Sequence, residues 1–135
     1  MSISHPTRAD RNSRLRGIAL AAIALGATIG PVSTANAACM PAALAATLQQ
    51  IKSKFGPVQV ISAHRPGARI RGSGRQSYHA SCRAVDFHAP RGKHSQVVSW
   101  LKANHNGGVG TYSCGMSHIH IDTGPRVRFH KCQRG

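Results

Sequence analysis

The sequence predicts a small single domain of the α+β class, with two main helices and a mainly antiparallel sheet. Two segments repeat apolar residues at helical spacing, and short segments of strand-like composition lie between and after them. The predicted order is helix, strand, long loop, strand, helix and then two or three strands. No internal repeat and no linker divides the chain, so this order is assigned to one domain.

The first predicted helix begins at Pro41, because proline is well suited to the first position of a helix. Apolar residues then recur three or four positions apart, at Leu44, Leu48, Ile51 and Phe55. The pair Gly56-Pro57 ends this helix. Residues 58–62 have β-branched side chains on alternate positions and predict a strand. Residues 66–77 are rich in glycine and arginine and predict a loop.

The second half of the chain begins with a predicted short strand at residues 84–87. Ser95 is a candidate N-cap for a second helix. The buried stripe of that helix is predicted to be Val97, Val98 and Leu101. Asn106-Gly107-Gly108 marks the end of the helix. The last strands are predicted at residues 109–112, 118–122 and 127–130.

The first 37 residues have the layout of a cleavable secretory signal peptide. Four arginines between residues 8 and 16 precede an apolar run at residues 18–30, and small residues then end in Ala35-Asn36-Ala37. The apolar run is too short to span a bilayer, which takes about 20 residues. The alternative is an ordered N-terminal helix. We expect residues 1–37 to be removed and residues 38–135 to fold in the periplasm or outside the cell.

Charge and composition limit the classes of function open to the mature chain. It has 98 residues, with 14 lysines and arginines against two acidic residues, which gives a net charge of +12. Such a charge attracts polyanions. Specific nucleic-acid binding is nevertheless not expected, because few aromatic residues are available to stack bases and no nucleic-acid-binding motif occurs. The composition also excludes a coiled coil, a collagen-like chain and a transmembrane bundle.

Very few residues of the mature chain can supply carboxylate chemistry. It has no glutamate, and its aspartates are Asp86 and Asp122. His79, Asp86 and His120 together suit a catalytic zinc ion, with a fourth position left for water. His118 lies two residues before His120, so both imidazoles are expected on one face of a strand. Each histidine alone fits a surface or core position equally well, so spacing by itself leaves the metal site open.

Three motifs, in order along the chain, resemble those of the zinc D-alanyl-D-alanine peptidases. Residues 77–86, SYHASCRAVD, are similar to the family signature S-x-H-x-x-G-x-A-x-D. Residues 118–124, HIHIDTG, resemble the H-x-H segment that closes the metal site. Upstream, residues 62–65 resemble an S-x-Y-R segment. The chain looks most like the short periplasmic members of the YcbK type, and the resemblance covers most of residues 58–130.

The resemblance implies an activity and a role for each residue that matches the motifs. His79, Asp86 and His120 would bind one zinc ion, and His118 would handle the proton of the attacking water. Arg65 would bind the terminal carboxylate of the substrate, with a hydrogen bond added by Ser77. The implied substrates are D-amino-acid-containing peptide bonds of peptidoglycan stem peptides or cross-links, cleaved by a carboxypeptidase or an endopeptidase that we expect to be monomeric.

The sequence departs from the family pattern at two positions, where Cys82 replaces a glycine and His64 replaces a tyrosine. A disulfide would explain a cysteine at the glycine position. One of three possible pairings joins Cys82 to Cys114 and Cys39 to Cys132. The first bridge would tie the two halves of the metal site together. We expect neither His64 nor His88 to act in the site.

Other functions remain as alternatives at this point. A non-catalytic wall-binding module would keep the metal ligands and lose hydrolysis, and the missing glutamate and altered tyrosine favour it. A basic, disulfide-linked protein that acts on membranes is disfavoured, because no long amphipathic helix with a basic face is present. Asp122 would either orient a ligand histidine or have a structural role in a turn or a cap.

Overall fold

Two α-helices, a one-turn 3-10 helix and five strands make up the part of the chain that the computed structural model describes, residues 39–132. The helices are α1, Ala42–Phe55, and α2, His94–Asn104, and the 3-10 helix is Tyr78–Ser81. The strands are β1, Gln59–Ser62; β2, Ala84–His88; β3, Val109–Ser113; β4, Ile119–Asp122; and β5, Arg128–Cys132. The predicted signal peptide, residues 1–37, lies outside the described residues.

The strands form one mixed sheet in the order β1-β2-β4-β3-β5. Three of its four pairings are antiparallel, and only β3 and β5 run parallel. The predicted α+β class, with two main helices and a mainly antiparallel sheet, is confirmed. Strand β4 lies at the centre, between β2 and β3, although it comes fourth in sequence.

The apolar stripes of both helices pack with the sheet residues into one core. Helix α1 buries Leu44, Leu48 and Ile51, as its periodicity predicts. The sheet contributes Val85, Phe87, Val109, Ile119 and Ile121 to the same cluster. Helix α2 buries Val97 and Leu101, whereas Val98 is only partly buried. Between residues 39 and 132, neither helix is long and apolar enough to cross a membrane.

Helix α2 begins at His94, two residues earlier than a cap at Ser95 would allow. Its N-cap position is Lys93, with no side-chain hydrogen bond, and Ser95 lies in the first turn. A turn in which the Lys93 N–H donates to the Pro90 carbonyl at 2.9 Å leads into the helix. The prediction that Ser95 caps the helix is therefore wrong, because a preceding backbone turn starts it.

The segment predicted as a loop contains a short hydrogen-bonded hairpin, residues 68–77, which we call the arginine hairpin. The Ile70 N–H donates to the Arg75 carbonyl at 2.7 Å, and the Ser77 N–H donates to the Ala68 carbonyl at 2.9 Å. A bridge also pairs Arg69 with Gln76. The hairpin is polar throughout its exposed tip, so no apolar alternation marks it in the sequence.

The cysteines pair differently from the predicted Cys82–Cys114 and Cys39–Cys132 bridges, which are wrong. Cys39 is bonded to Cys82 and Cys114 to Cys132, with Cα separations of 5.4 and 5.2 Å. Strands β3 and β5 pair in parallel with Ser113 opposite Cys132, so the next residue, Cys114, lies beside Cys132. This register between distant strands decides the pairing.

Cys82 has a left-handed backbone conformation, with φ of 57°. It ends the 3-10 helix that carries His79. Glycine adopts this conformation without the steric cost that a Cβ atom brings. The left-handed backbone at this position therefore explains the glycine of the family signature. In this chain, the disulfide to Cys39 holds the cysteine that replaces the glycine.

Candidate metal centre

Three buried side chains from three different elements meet beside the centre of the sheet. His79 comes from the 3-10 helix, Asp86 from β2 and His120 from β4. Asp86 and His120 are direct partners in the antiparallel pairing of β2 with β4, which brings them together despite 34 residues of separation. The structure thus assembles the three residues that the sequence predicts as metal ligands.

The donor atoms of these three residues have the spacing that a tetrahedral metal ion requires. His79 Nε2 lies 3.2 Å from His120 Nδ1. The Asp86 oxygens lie 3.1 Å from His79 Nε2 and 2.9 Å from His120 Nδ1. Donors bound tetrahedrally at zinc distances are about 3.3 Å apart. Three nitrogen and oxygen donors at nearly this separation fit a zinc ion.

The outer nitrogens of both histidines have partners that fix the ring tautomers. His79 Nδ1 lies 2.8 Å from the carbonyl oxygen of Ala63. A carbonyl only accepts, so Nδ1 carries the proton and Nε2 has a free lone pair. His120 Nε2 similarly lies 3.0 Å from a carboxylate oxygen of Asp122, which leaves Nδ1 as the donor to a metal. Such partners are typical of histidines that bind metals.

Asp122 is held in place by two backbone N–H groups while it contacts His120. Its Oδ1 accepts from Gly108 at 3.1 Å and from Gly124 at 2.7 Å, and its Oδ2 faces the imidazole. A Cβ atom on Gly108 would overlap the Asp122 carboxylate. Glycine at position 108 therefore permits the close approach that fixes this carboxylate.

The charges of the site favour a cation between the donors. Burial would raise the pKa of Asp86, but hydrogen bonds with His120 and His79 outweigh it and hold that pKa well below its ordinary value. Burial also opposes the charge of Asp122, yet its hydrogen bonds with His120 and Gly124 lower the pKa of this carboxyl. Burial would lower the pKa of His120, but the two carboxylates raise it. Both carboxylates are therefore ionised.

His118 lies next to the donor set, on the wall of the same cleft. It precedes β4, and its half-buried ring stacks on Tyr112 with ring centroids 4.4 Å apart. Burial lowers the pKa of His118, against an opposing effect from Asp86. The imidazole is therefore neutral near pH 7 and can accept a proton. Burial also raises the pKa of Tyr112 to about 12, so the phenol stays protonated.

Arg65 and Ser77 both line the cleft, whose volume is about 680 Å³. Arg65 places one guanidinium nitrogen 3.4 Å from Asp86 Oδ2, and its side chain is 53 % exposed. Ser77 accepts a hydrogen bond from the His79 N–H and so caps the 3-10 helix. Arg65 thus has free donors at the cleft, whereas the Ser77 hydroxyl also has a structural partner.

A second cluster of metal-type donors, Cys39, His64 and Cys82, lies outside the cleft. The two sulfur atoms are joined to each other, so they offer no thiolate to a metal. The sequence did not reveal the Ala63 carbonyl as a partner of His79, nor did it place Tyr112 and the arginine hairpin at the cleft. Ala63 is the variable position within the motif at residues 62–65, so the only signal for the carbonyl that orients His79 was its place in that motif.

Comparisons with known proteins agree with the motifs. The Peptidase M15 family model matches residues 18–122. Over 85 residues the chain is 36 % identical to peptidoglycan L,D-endopeptidase MepK of Escherichia coli K12, and the MepK proteins of Escherichia coli O157:H7 and Shigella flexneri give the same values. The aligned part covers 58 % of this chain and 46 % of each relative, so the chain spans about half the length of these relatives. No solved structure matches the chain significantly.

Proposed function

The chain belongs to the Peptidase M15 family, and on that premise we propose that it is a zinc-dependent peptidase of peptidoglycan. Its substrates are D-amino-acid-containing bonds of stem peptides or cross-links. The observation that carries the proposal is the convergence of His79 Nε2, His120 Nδ1 and the Asp86 carboxylate within 3.2 Å of one another. Both imidazoles have the tautomer that leaves the inner nitrogen free.

These three residues hold the metal, and their partners keep them ready for it. When bound, zinc polarises the scissile carbonyl and lowers the pKa of a coordinated water to about 7. The Ala63 carbonyl and Asp122 keep the imidazoles of His79 and His120 from rotating away, because each accepts the outer N–H. Ligand geometry fixed before the metal arrives lowers the cost of binding it.

His118 serves as the proton carrier in this proposal. A neutral imidazole nitrogen accepts the proton of the attacking water and then donates it to the leaving amine. The Tyr112 ring limits the orientations of His118 by stacking on it. The mature chain has no glutamate, and Asp122 is engaged by His120 and two backbone N–H groups, so His118 is the proton acceptor best placed for the task.

Arg65 binds a carboxylate of the substrate through the guanidinium nitrogens that Asp86 does not contact. Ser77 adds a hydrogen bond from its hydroxyl hydrogen, because its oxygen already accepts from the His79 N–H. The relatives are named L,D-endopeptidases, which favours cleavage within a cross-link over removal of a terminal residue. A cleavable signal at residues 1–37 would carry the protein to the periplasm or outside the cell, where peptidoglycan lies.

The test combines metal content with turnover on one sample. The oxidised chain without residues 1–37 is purified, its zinc is quantified, and it is incubated with purified peptidoglycan while products are followed by mass spectrometry. We expect about one zinc per chain, together with chelator-sensitive release of D-alanine or of split cross-links. His120→Ala serves as the matched inactive control.

Each other result contradicts part of the proposal. About one zinc per chain with no product from any wall preparation would indicate a non-catalytic wall-binding module. Absence of zinc from a correctly folded sample would refute the metal site itself. The masses of the products decide between carboxypeptidase and endopeptidase action.

A further inference from the structure

The cleft beside the metal centre is lined by cations that have no carboxylate partner. Arg69, Arg71 and Arg75 of the arginine hairpin, and Lys131 of β5, line the cleft together with Arg65. The acidic residues of the described chain are Asp86 and Asp122, and the ion pairs they form there involve Arg65, His79 and His120. Four positive charges at the cleft are therefore left without a counter-charge among residues 39–132.

The hairpin presents two of these charges from a backbone that is fixed by hydrogen bonds. Arg69 donates to the Gly74 carbonyl at 2.9 Å and so stabilises the hairpin from within. Arg71 and Arg75 are exposed, and between residues 39 and 132 their guanidinium groups form no hydrogen bond or ion pair. Two guanidinium forks on an ordered support suit planar anions such as carboxylates.

We propose that Arg71 and Arg75 bind carboxylates of the substrate that lie away from the scissile bond. The protein would thereby select peptides whose carboxylates are free over peptides in which they are amidated. The inference rests on the proposed peptidase function and adds a specificity to it. Lys131, whose ammonium lies 5.4 Å from the centre of the Phe129 ring, adds a further positive charge to the same cleft.

A peptide suits this surface better than a nucleic acid does. Single-stranded nucleic acids need open aromatic faces on which bases stack. The aromatic rings that line this cleft already have partners within the protein. Tyr112 lies on His118 and edge-on to Phe129, and the ring centroids of Phe129 and His120 are 5.7 Å apart. The guanidinium of Arg83 lies 4.6 Å from the centre of the Tyr78 ring. The cleft therefore offers charge without a stacking platform.

The test compares two peptides that differ only in charge. One carries free carboxylates away from the scissile bond, and the other carries carboxamides at the same positions. Exposed charge contacts are individually weak, so we expect two of them together to give about a tenfold higher kcat/KM for the charged peptide, which corresponds to about 1.4 kcal/mol. The double variant Arg71→Gln/Arg75→Gln should lose this preference, because the KM of the charged peptide should rise towards that of the carboxamide peptide. Added salt should weaken the preference.

The control Lys54→Gln/Arg91→Gln removes the same charge from exposed residues outside the cleft. It should keep the full preference. A wild-type ratio within about twofold of unity, or an equal loss in the control, would overturn the proposal.

Binding separates this inference from the peptidase proposal. Analogues of both peptides with an N-methylated scissile amide are titrated into the wild-type chain and both variants. This titration is informative even if neither parent peptide is hydrolysed. A preference for the charged analogue that disappears only in Arg71→Gln/Arg75→Gln supports carboxylate recognition. Equal binding of the two analogues to the wild-type chain refutes it. A single-stranded oligonucleotide and the charged peptide are also compared as competitors for the bound charged analogue. Displacement by the oligonucleotide at a lower concentration than by the peptide would also refute the inference.

Discussion

Replacing Asp122 by asparagine should weaken metal binding without any change to a metal ligand. The new side chain has one oxygen and one amide group, and the backbone decides how they are oriented. Two N–H groups, of Gly108 and Gly124, point at Oδ1 from 3.1 and 2.7 Å. The amide oxygen of Asp122→Asn must remain there, because the reverse orientation would set its NH₂ group against two donors. The NH₂ group then faces His120 Nε2.

That orientation disfavours the His120 tautomer that the proposed metal site requires. With aspartate, the Nε2–H of His120 donates to Oδ2 at 3.0 Å and Nδ1 is free. With asparagine, either two donors face each other or the ring proton moves to Nδ1 and blocks the metal position. The lost hydrogen bond has a charged acceptor and is worth about 1.5–3 kcal/mol. The zinc Kd should therefore rise about 10- to 150-fold.

The assay is competition for zinc between the protein and a chromogenic chelator of known affinity, performed on wild type and Asp122→Asn at the same pH. Circular dichroism and thermal melting of the metal-free proteins show whether the fold is preserved. A zinc Kd within about threefold of the wild-type value in a folded variant, against the 10- to 100-fold typical of such partners, would refute the assigned tautomer.

Three further predictions address the proton carrier, the disulfides and the packing above the site. His118→Ala should retain zinc and lose turnover, whereas His120→Ala should lose both, which metal analysis and a peptide-cleavage assay on the same samples will show. Removing the Cys39–Cys82 bridge with two serines should lower the free energy of unfolding by about 4 kcal/mol, since the bridge closes a 43-residue loop, as measured by denaturant unfolding. Gly110→Ala should destabilise the fold by about 1–3 kcal/mol, because its Cβ would overlap the neighbouring phenyl ring, and thermal unfolding will measure this.

Each of these predictions has an outcome that contradicts it. Zinc loss in His118→Ala would make this residue a ligand. For the disulfide, the variant Cys39→Ser/Cys82→Gly is the matched control: glycine relieves the left-handed backbone, so this variant should be more stable than the double-serine variant. The reverse order would show that the conformation of residue 82 costs nothing. An unchanged melting temperature in Gly110→Ala would mean that the ring above it moves freely.

The parts of the fold that depend on local patterns were predictable from the sequence. Leu44, Leu48 and Ile51 recur at helical spacing and are buried as predicted. The family signature brought together His79 and Asp86, which the 3-10 helix and β2 present to the same point. These features depend on residues that are close in sequence, so they can be recognised without knowledge of the tertiary structure.

What depends on contacts between distant segments was not predictable. Cys114 pairs with Cys132 because β5 lies parallel to β3, and no local pattern reveals that register. The arginine hairpin has the composition of a loop, because backbone hydrogen bonds rather than apolar side chains define it. The partner of His79 Nδ1 is a backbone carbonyl, and any residue at position 63 would supply one.

The place of the proposed metal ligands within the sheet bears on which fluctuations of the fold can disturb them. Asp86 and His120 lie on β2 and β4, and each of these strands has a neighbour on both sides. Strands β1 and β5 form the edges, where opening is cheapest in free energy. Fraying of either edge leaves the pairing of β2 with β4 intact. We therefore expect the backbone amides of these inner strands to exchange with deuterium most slowly. A bound metal should slow their exchange further, because its binding free energy adds to the free energy of unfolding.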